Sequence, residues 1–463
     1  MPTPSAAEPT TILRRLGLER GDLRPTLGLA AVHVLLFAGY YVARPLRDEI
    51  AAHLSGDERD NLWEYVFYVM LAIAPVWSWF ARRRTRVQLL SQTIWFFAAT
   101  ALVFAGLLGE LGTFGVGFAG LEGEARLDLE RAFYVWSAVL ALLPMSAFWS
   151  YASDVFSLER AKRVFGLLAS SATIGQIIGS GVSGALSDRS VDLGPQILLV
   201  AGLFIASGAA VVLVDRFTGP APKSAERAAR DEPIGGGLVS GLLAVVRSPA
   251  LRGVCVYFLL YTSASTVYYW LQSNYVGGLF TERAERRAFL ADLDHTVGWI
   301  TLVLQAGLSG VLMRRLGLGA TLLGLPLVCI AGVVAVWLTV RDGVPVAGSA
   351  AGAAFLTLLS VVLVAQRVAR YVFAKPAREA LFTTVSRQER YLSKNFIDTA
   401  VYRGGDVLTA KTWTWIEGAD ANGDNPRFTT AQIALGAVPL MLLWGWQCLR
   451  LGRRASRTEN TVP

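Results

Sequence analysis

The chain has 463 residues, 53% of them hydrophobic, with 43 Lys and Arg against 35 Asp and Glu and a formal charge of +8. So apolar a composition excludes a soluble globular domain. The basic surplus sits in short connections and at the termini, where it reports membrane topology and anionic headgroups and excludes a nucleic acid polymer as partner.

Crossing the hydrocarbon core takes about twenty mainly apolar residues. Such segments run at 26–46, 62–81, 87–109, 132–154, 167–186 and 193–214, then at 250–271, 295–313, 319–340, 347–373, 396–416 and 431–449. Every second connection is basic: Arg82, Arg83, Arg84 and Arg86; Arg160, Lys162 and Arg163; the 215–236 stretch; Arg314 and Arg315; and Lys375 to Lys394. The positive-inside rule puts these in the cytoplasm with both termini, and leaves the acidic connections at 112–130 and 417–428 outside. Residues 1–25 are polar and contain no short apolar core of a cleavable signal, so the first span is expected to serve as an uncleaved one. The expected location is a bacterial inner membrane.

The 215–236 stretch, rich in Pro, Gly, Ala and charge, divides the chain into an N-terminal bundle at 26–214 and a C-terminal bundle at 237–449, with cytoplasmic ends at 1–25 and 450–463. The bundles echo each other: SDVFSLERAKRVFG between segments four and five resembles EALFTTVSRQERYLSKNF between ten and eleven. The predicted fold is therefore an all-α polytopic membrane protein with twelve transmembrane helices in two six-helix bundles. Parallel repeats of this kind build major-facilitator-type carriers, whose site lies near the midplane between the halves.

Charges that topology does not explain mark the candidate site. In YYVARPLRDEI, Arg44 and Arg47 share a helix face at a spacing of three, and Asp48 can pair with Arg44 at i+4. This end of the first segment is predicted to be external, so an anchoring role is weakened and a cavity-facing anion clamp is the favoured reading. The fifth segment, SSATIGQIIGSGVSGAL, sets Gly175 and Gly179 at GxxxG spacing for close helix packing, a contact across which bundles could slide, and Gln176 is a candidate substrate contact. In the seventh, Tyr268, Tyr269 and Gln272 are candidates to hold a ring-bearing ligand.

Arg367 and Arg370 repeat the three-residue spacing in the tenth segment. Arg403 falls near mid-helix in the eleventh, with Asp406 three residues on and Lys411 two turns further. A charge at that depth costs roughly 2.5–3.5 kcal/mol and demands a partner, a cavity or a function. Almost all basic residues are Arg; the lysines are Lys162, Lys223, Lys375, Lys394 and Lys411, of which Lys162 is a candidate for gating and Lys411 for substrate. Asp48, Asp154, Asp398 and Asp406 are the acidic candidates for gating or coupling. Cys255, Cys329 and Cys448 show no metal or disulfide spacing and read as buried thiols. His33, His53 and His295 are scattered and no nucleotide loop or nucleophile motif occurs, so no enzymatic activity, metal or cofactor is expected.

At these residues the chain resembles the nucleotide transporter family, the ATP/ADP translocases of plastids and intracellular bacteria. Three patches carry the likeness: Arg44-Pro-Leu-Arg47-Asp48; the run Phe148 to Ser153 with Ala161-Lys162-Arg163-Val164-Phe165; and Ile397-Asp398 with Arg403-Gly404-Gly405. The resemblance implies a twelve-helix carrier, expected to be monomeric, that exchanges nucleotides or another small phosphorylated anion by alternating access. Two departures leave the substrate open: Ser265 and Thr266 stand where the translocases carry an acid, and Asp406 follows Gly405 where they carry a lysine. A proton-coupled exporter of small organic compounds is the alternative, and a membrane sensor or scaffold a weaker one.

Overall fold

The computed structural model describes residues 20–54, 56–109, 123–156, 158–189, 191–218, 238–305, 308–381, 396–418 and 427–459. Every regular element among them is helical. The first half comprises α1 (Arg20–His53), α2 (Gly56–Arg82), α3 (Arg86–Leu108), α4 (Glu124–Leu140), α5 (Leu143–Val155), α6 (Leu158–Asp188) and α7 (Leu193–Thr218). The second comprises α8 (Leu238–Arg247), α9 (Pro249–Leu279), α10 (Arg283–Gln305), α11 (Leu308–Val340), α12 (Ala350–Ala369), α13 (Lys375–Leu381), α14 (Tyr402–Glu417), α15 (Thr430–Gly436) and α16 (Val438–Glu459). Two π-helical turns, Arg370–Ala374 and Ile397–Val401, precede α13 and α14. Most of the predicted linker, from 219 on, lies outside the described residues.

The helices follow the order of the twelve predicted segments. The fourth is α4 plus α5, interrupted where Pro144 removes a backbone donor. The eighth and ninth turn into each other at Gly317, whose φ of 77° only glycine adopts without strain. Each half has its own apolar core, around Leu36, Phe97, Phe148 and Phe204 in the first and Tyr257, Phe258, Trp270, Phe355 and Trp444 in the second. The three cysteines are buried and free. Large apolar side chains such as Val103, Leu213, Val303, Leu327 and Val361 are exposed on the outside, as a lipid-facing surface requires.

Among the described residues, eight segments are long and apolar enough to cross a membrane by length and composition. The other four are the second, fifth, eighth and eleventh, built around α2, α6, α10 and α14. These four meet in pairs between the halves, α6 with α10 and α2 with α14. His295 Nδ1 of α10 lies 2.9 Å from the carbonyl oxygen of Ile177 on α6, and Lys411 of α14 pairs with Glu64 of α2 at 2.7 Å. Their polar and small residues are sheltered by the opposite half, so less hydrocarbon-facing surface is needed.

The GxxxG pair does not form the inter-half contact. Cβ atoms on Gly175 and Gly179 would strike Val34 and Ala38 of α1, in the same half. A neighbouring stripe faces α10 instead: Gly181 looks onto His295, and Gly184 onto Asp292 and Ala291. Rotation by 100° per residue separates the two stripes on one helix.

Candidate functional site

A stack of charged and tyrosyl side chains runs along the seam between the halves, in tiers set by helix geometry. The outer tier is an ion-pair knot. Arg283, at the start of α10, grips Glu49 of α1 with two bonds of 2.8 and 3.0 Å and donates to Glu130 of α4 at 2.9 Å. Arg286 adds a 3.5 Å contact to Glu49. Both carboxylates are buried. Beside it, Arg59 of α2 lies over Trp270 and donates to Asn274 of α9.

Next to Glu49 on α1, Arg47 donates twice to Asp48 Oδ1, at 2.6 and 2.9 Å. Tyr269 of α9 approaches the same oxygen at 3.5 Å and receives the Tyr134 hydroxyl of α4 at 3.3 Å. Tyr269 thus packs into the first half although its helix belongs to the second.

The third tier joins both halves through one carboxylate. Asp294 Oδ1 lies in an ion pair 2.9 Å from Arg44 of α1 and accepts from Arg367 of α12 at 2.5 Å. Arg367 also donates to Gln272, and Arg44 lies 3.6 Å from Asp48. The α1 helix continues to His53, nine residues past Arg44, so Arg44 sits about 13 Å below the helix end. It is deeper than a segment ending at 46 would place it.

Below this tier the first π-turn begins. Its wider loop opens at Arg370, whose guanidinium donates to Ser265 at 3.1 Å and lies over the Tyr261 ring. Among the described residues Arg370 has no carboxylate within ion-pair distance, and its buried Nε finds no acceptor. Tyr371, the next residue, reaches Tyr41 of α1 at 3.2 Å. π-turns recur at functional sites because the extra residue re-aims side chains.

Arg403 joins from the far side. It pairs with Asp406 at 3.5 Å and lies over Tyr402, which contacts Tyr261 in turn. Asp406 is buried and accepts from Thr266 at 3.3 Å.

Arg44, Arg47, Asp48, Gln272, Arg367 and Arg370 are thus brought together, and Arg403 with Asp406 adjoins them through two tyrosines. Gln176 reaches the group as a tie, its amide donating to the Asp294 carbonyl oxygen at 2.9 Å. Tyr268 lies elsewhere: it is buried in the second half with its hydroxyl on the Cys329 carbonyl oxygen. Lys411 is held by Glu64, away from the tiers. Asp154, Lys162 and Asp398 have side chains outside the described residues. No group of three or more metal-ligating side chains occurs among the described residues. Two grooves, of about 580 and 550 Å³, are lined by α10 and α12 and by α2, α3 and α4; neither contains the Arg44, Asp294 and Arg367 group.

The residues that sequence reasoning missed are Glu49, Glu130, Arg283 and Asp294. The latter two fall in a stretch read as a connection. The signal that could have found them is the helical spacing of Arg283, Arg286, Arg287 and Asp294, which carries the helix well before its apolar part.

No protein-family model matches the sequence, and no curated protein matches it. Solved structures of similar fold do. A bacterial homologue of the human lysosomal transporter Spinster, solved inward-facing and unoccupied, is 15% identical with a TM-score of 0.60, over 95% of this chain and 98% of that one. The nucleoside transporter NupG is 10% identical with a TM-score of 0.61, over 94% and 99%. A bacterial homologue of the iron transporter ferroportin, inward-facing, is 15% identical with a TM-score of 0.62, over 93% and 99%. At such identities the likeness is one of fold, and it runs the length of the chain.

Proposed function

We propose that the chain is a secondary membrane transporter that works by alternating access between its two halves and carries a small multiply charged anion, phosphorylated compounds and nucleotides first among them. The fold shared with three transporters supports transport. The charge at the seam supports an anion, since five guanidiniums (Arg44, Arg47, Arg367, Arg370 and Arg403) meet three carboxylates (Asp48, Asp294 and Asp406). Arg370 carries the reading furthest. A guanidinium kept at the seam without a carboxylate partner among the described residues is poised for an external anion, and its planar fork matches phosphate oxygens.

Uptake into proteoliposomes, tested against nucleotides, sugar phosphates and inorganic phosphate, checks this. Saturable uptake or exchange of at least one, with affinity weakened about tenfold in Arg370→Gln, is the expected result. Transport of neutral nucleosides or organic cations, with no anion bound or carried, overturns it.

One observation favours the alternative, a proton-coupled exporter of small organic compounds. Asp406 is a buried carboxylate with a hydroxyl and one arginine as partners, a setting suited to carrying a proton. Under that reading Asp406→Asn abolishes accumulation driven by a pH gradient, whereas under the anion reading it leaves anion exchange in place.

A further inference from the structure

The carboxylate of Asp294 lies between two arginines, one from each half. Its Oδ1 forms an ion pair with Arg44 at 2.9 Å and accepts an N–H from Arg367 at 2.5 Å, so a single oxygen is shared by a guanidinium from each half. A phosphate or sulfate oxygen bridging two arginines has the same donors and charge. The backbone around Asp294 is fixed independently of this carboxylate: Gln176 holds its carbonyl oxygen, and His295 is held by Ile177. The side chain can therefore leave its partners while the helix stays in place.

We propose that Asp294 is a built-in counter-anion, the residue that a transported anion must displace from Arg44 and Arg367. Without it, two guanidiniums from opposite halves would face each other in a buried seam, a repulsive and poorly solvated arrangement. With it, both guanidiniums keep a carboxylate partner when no cargo is bound. Two consequences follow. Anion affinity is held down by an intramolecular competitor, and the empty carrier keeps a paired seam, which allows it to reorient without cargo and so to carry net flux in addition to exchange.

The inference rests on the anion reading, and the experiment separates the two. The probe is sulfate, a dianion throughout the neutral pH range, titrated against the purified full chain with thermal unfolding and calorimetry as readouts. Removing the competitor in Asp294→Asn should tighten sulfate binding about tenfold or more, the scale of a charged hydrogen bond. The variant should melt lower than wild type without sulfate and recover most of the loss with it. Asp294→Glu retains a carboxylate and should stay close to wild type. Adding Arg367→Gln to Asp294→Asn should erase the gain, which places the sulfate on that guanidinium.

If sulfate binds wild type and Asp294→Asn equally, the counter-anion assignment is overturned while the anion site stands. If sulfate binds none of these proteins and the panel of phosphorylated anions also fails, the anion reading itself is lost. Failure of Asp294→Asn and Asp294→Ser to fold even with sulfate present also overturns the assignment, because sulfate is proposed to replace the carboxylate.

Discussion

Arg370 and Arg403 have different partners, and substitution should separate them. Arg370 has a hydroxyl and a ring but no carboxylate partner among the described residues, so Arg370→Gln strands no acid. It should leave the melting temperature nearly unchanged and weaken anion binding about tenfold, measurable by calorimetry. Arg403→Gln instead leaves Asp406 buried with only Thr266, among the described residues, to donate to it. Losing one member of a buried pair costs about 3–5 kcal/mol, so the yield of folded protein should fall. Combining Arg403→Gln with Asp406→Asn should restore yield; transport restored along with it would remove Arg403 from the site, and transport still absent would keep it there. The candidates among the arginines were legible in the sequence because positive-inside logic could not account for them. Asp294 and Glu49 were not, since an acid is informative only once its cation is known, and Arg44 and Asp294 are 250 residues apart. Tyr268 and Tyr269 show a further limit: neighbours on a helix diverge by 100°, and composition cannot say which of them faces the seam.

At the level of elements, the apolar runs located the helices but shortened them. Hydropathy measures the hydrocarbon thickness, whereas a helix in a protein seam continues as far as its backbone and partners allow. Thus α9 reaches Leu279 and α10 restarts at Arg283, and the segment between the seventh and eighth spans, read as a connection of more than twenty residues, is almost wholly helical. The two stripes of α6 give a test of packing. A Cβ at Gly179 would lie 2.8 Å from the Cα of Ala38 and press on its carbonyl oxygen, and backbone cannot yield cheaply. Gly179→Val should destabilise the protein by about 1–3 kcal/mol or more. A Cβ at Gly184 meets the end of the Asp292 side chain at 3.3 Å, which can rotate away. Gly184→Ala should be neutral or stabilising, by up to about 1 kcal/mol from helix propensity. Thermal unfolding of the two variants in one detergent decides the matter.

For the whole molecule, the ion-pair knot of Arg283 with Glu49 and Glu130 ties the halves at one end, the end predicted to be external. Arg283→Gln leaves Glu49 with Arg286 and Glu130 with Arg126, so both acids keep a partner within their reach, and folding should survive. The tie across the seam is nevertheless weakened. Spin labels at the exposed positions 128 and 344, one in each half, should show a longer distance population in the variant than in wild type; an unchanged distribution would mean that the knot does not hold this end shut.

The sheltered character of α2, α6, α10 and α14 bears on how the chain is made. A ribosome-bound translocon releases helices to lipid one or two at a time, and these four are the ones lipid accepts least. The second and fifth cannot reach their partners, the eleventh and eighth, until the later half has been synthesised, so the early half must wait with its polar faces provisionally covered. Residues 1–218 expressed alone should therefore be short-lived in the membrane, and co-expression of residues 238–463 as a separate polypeptide should prolong their lifetime in a pulse-chase experiment. A fragment equally long-lived with and without its complement would show that the first half needs no such escort.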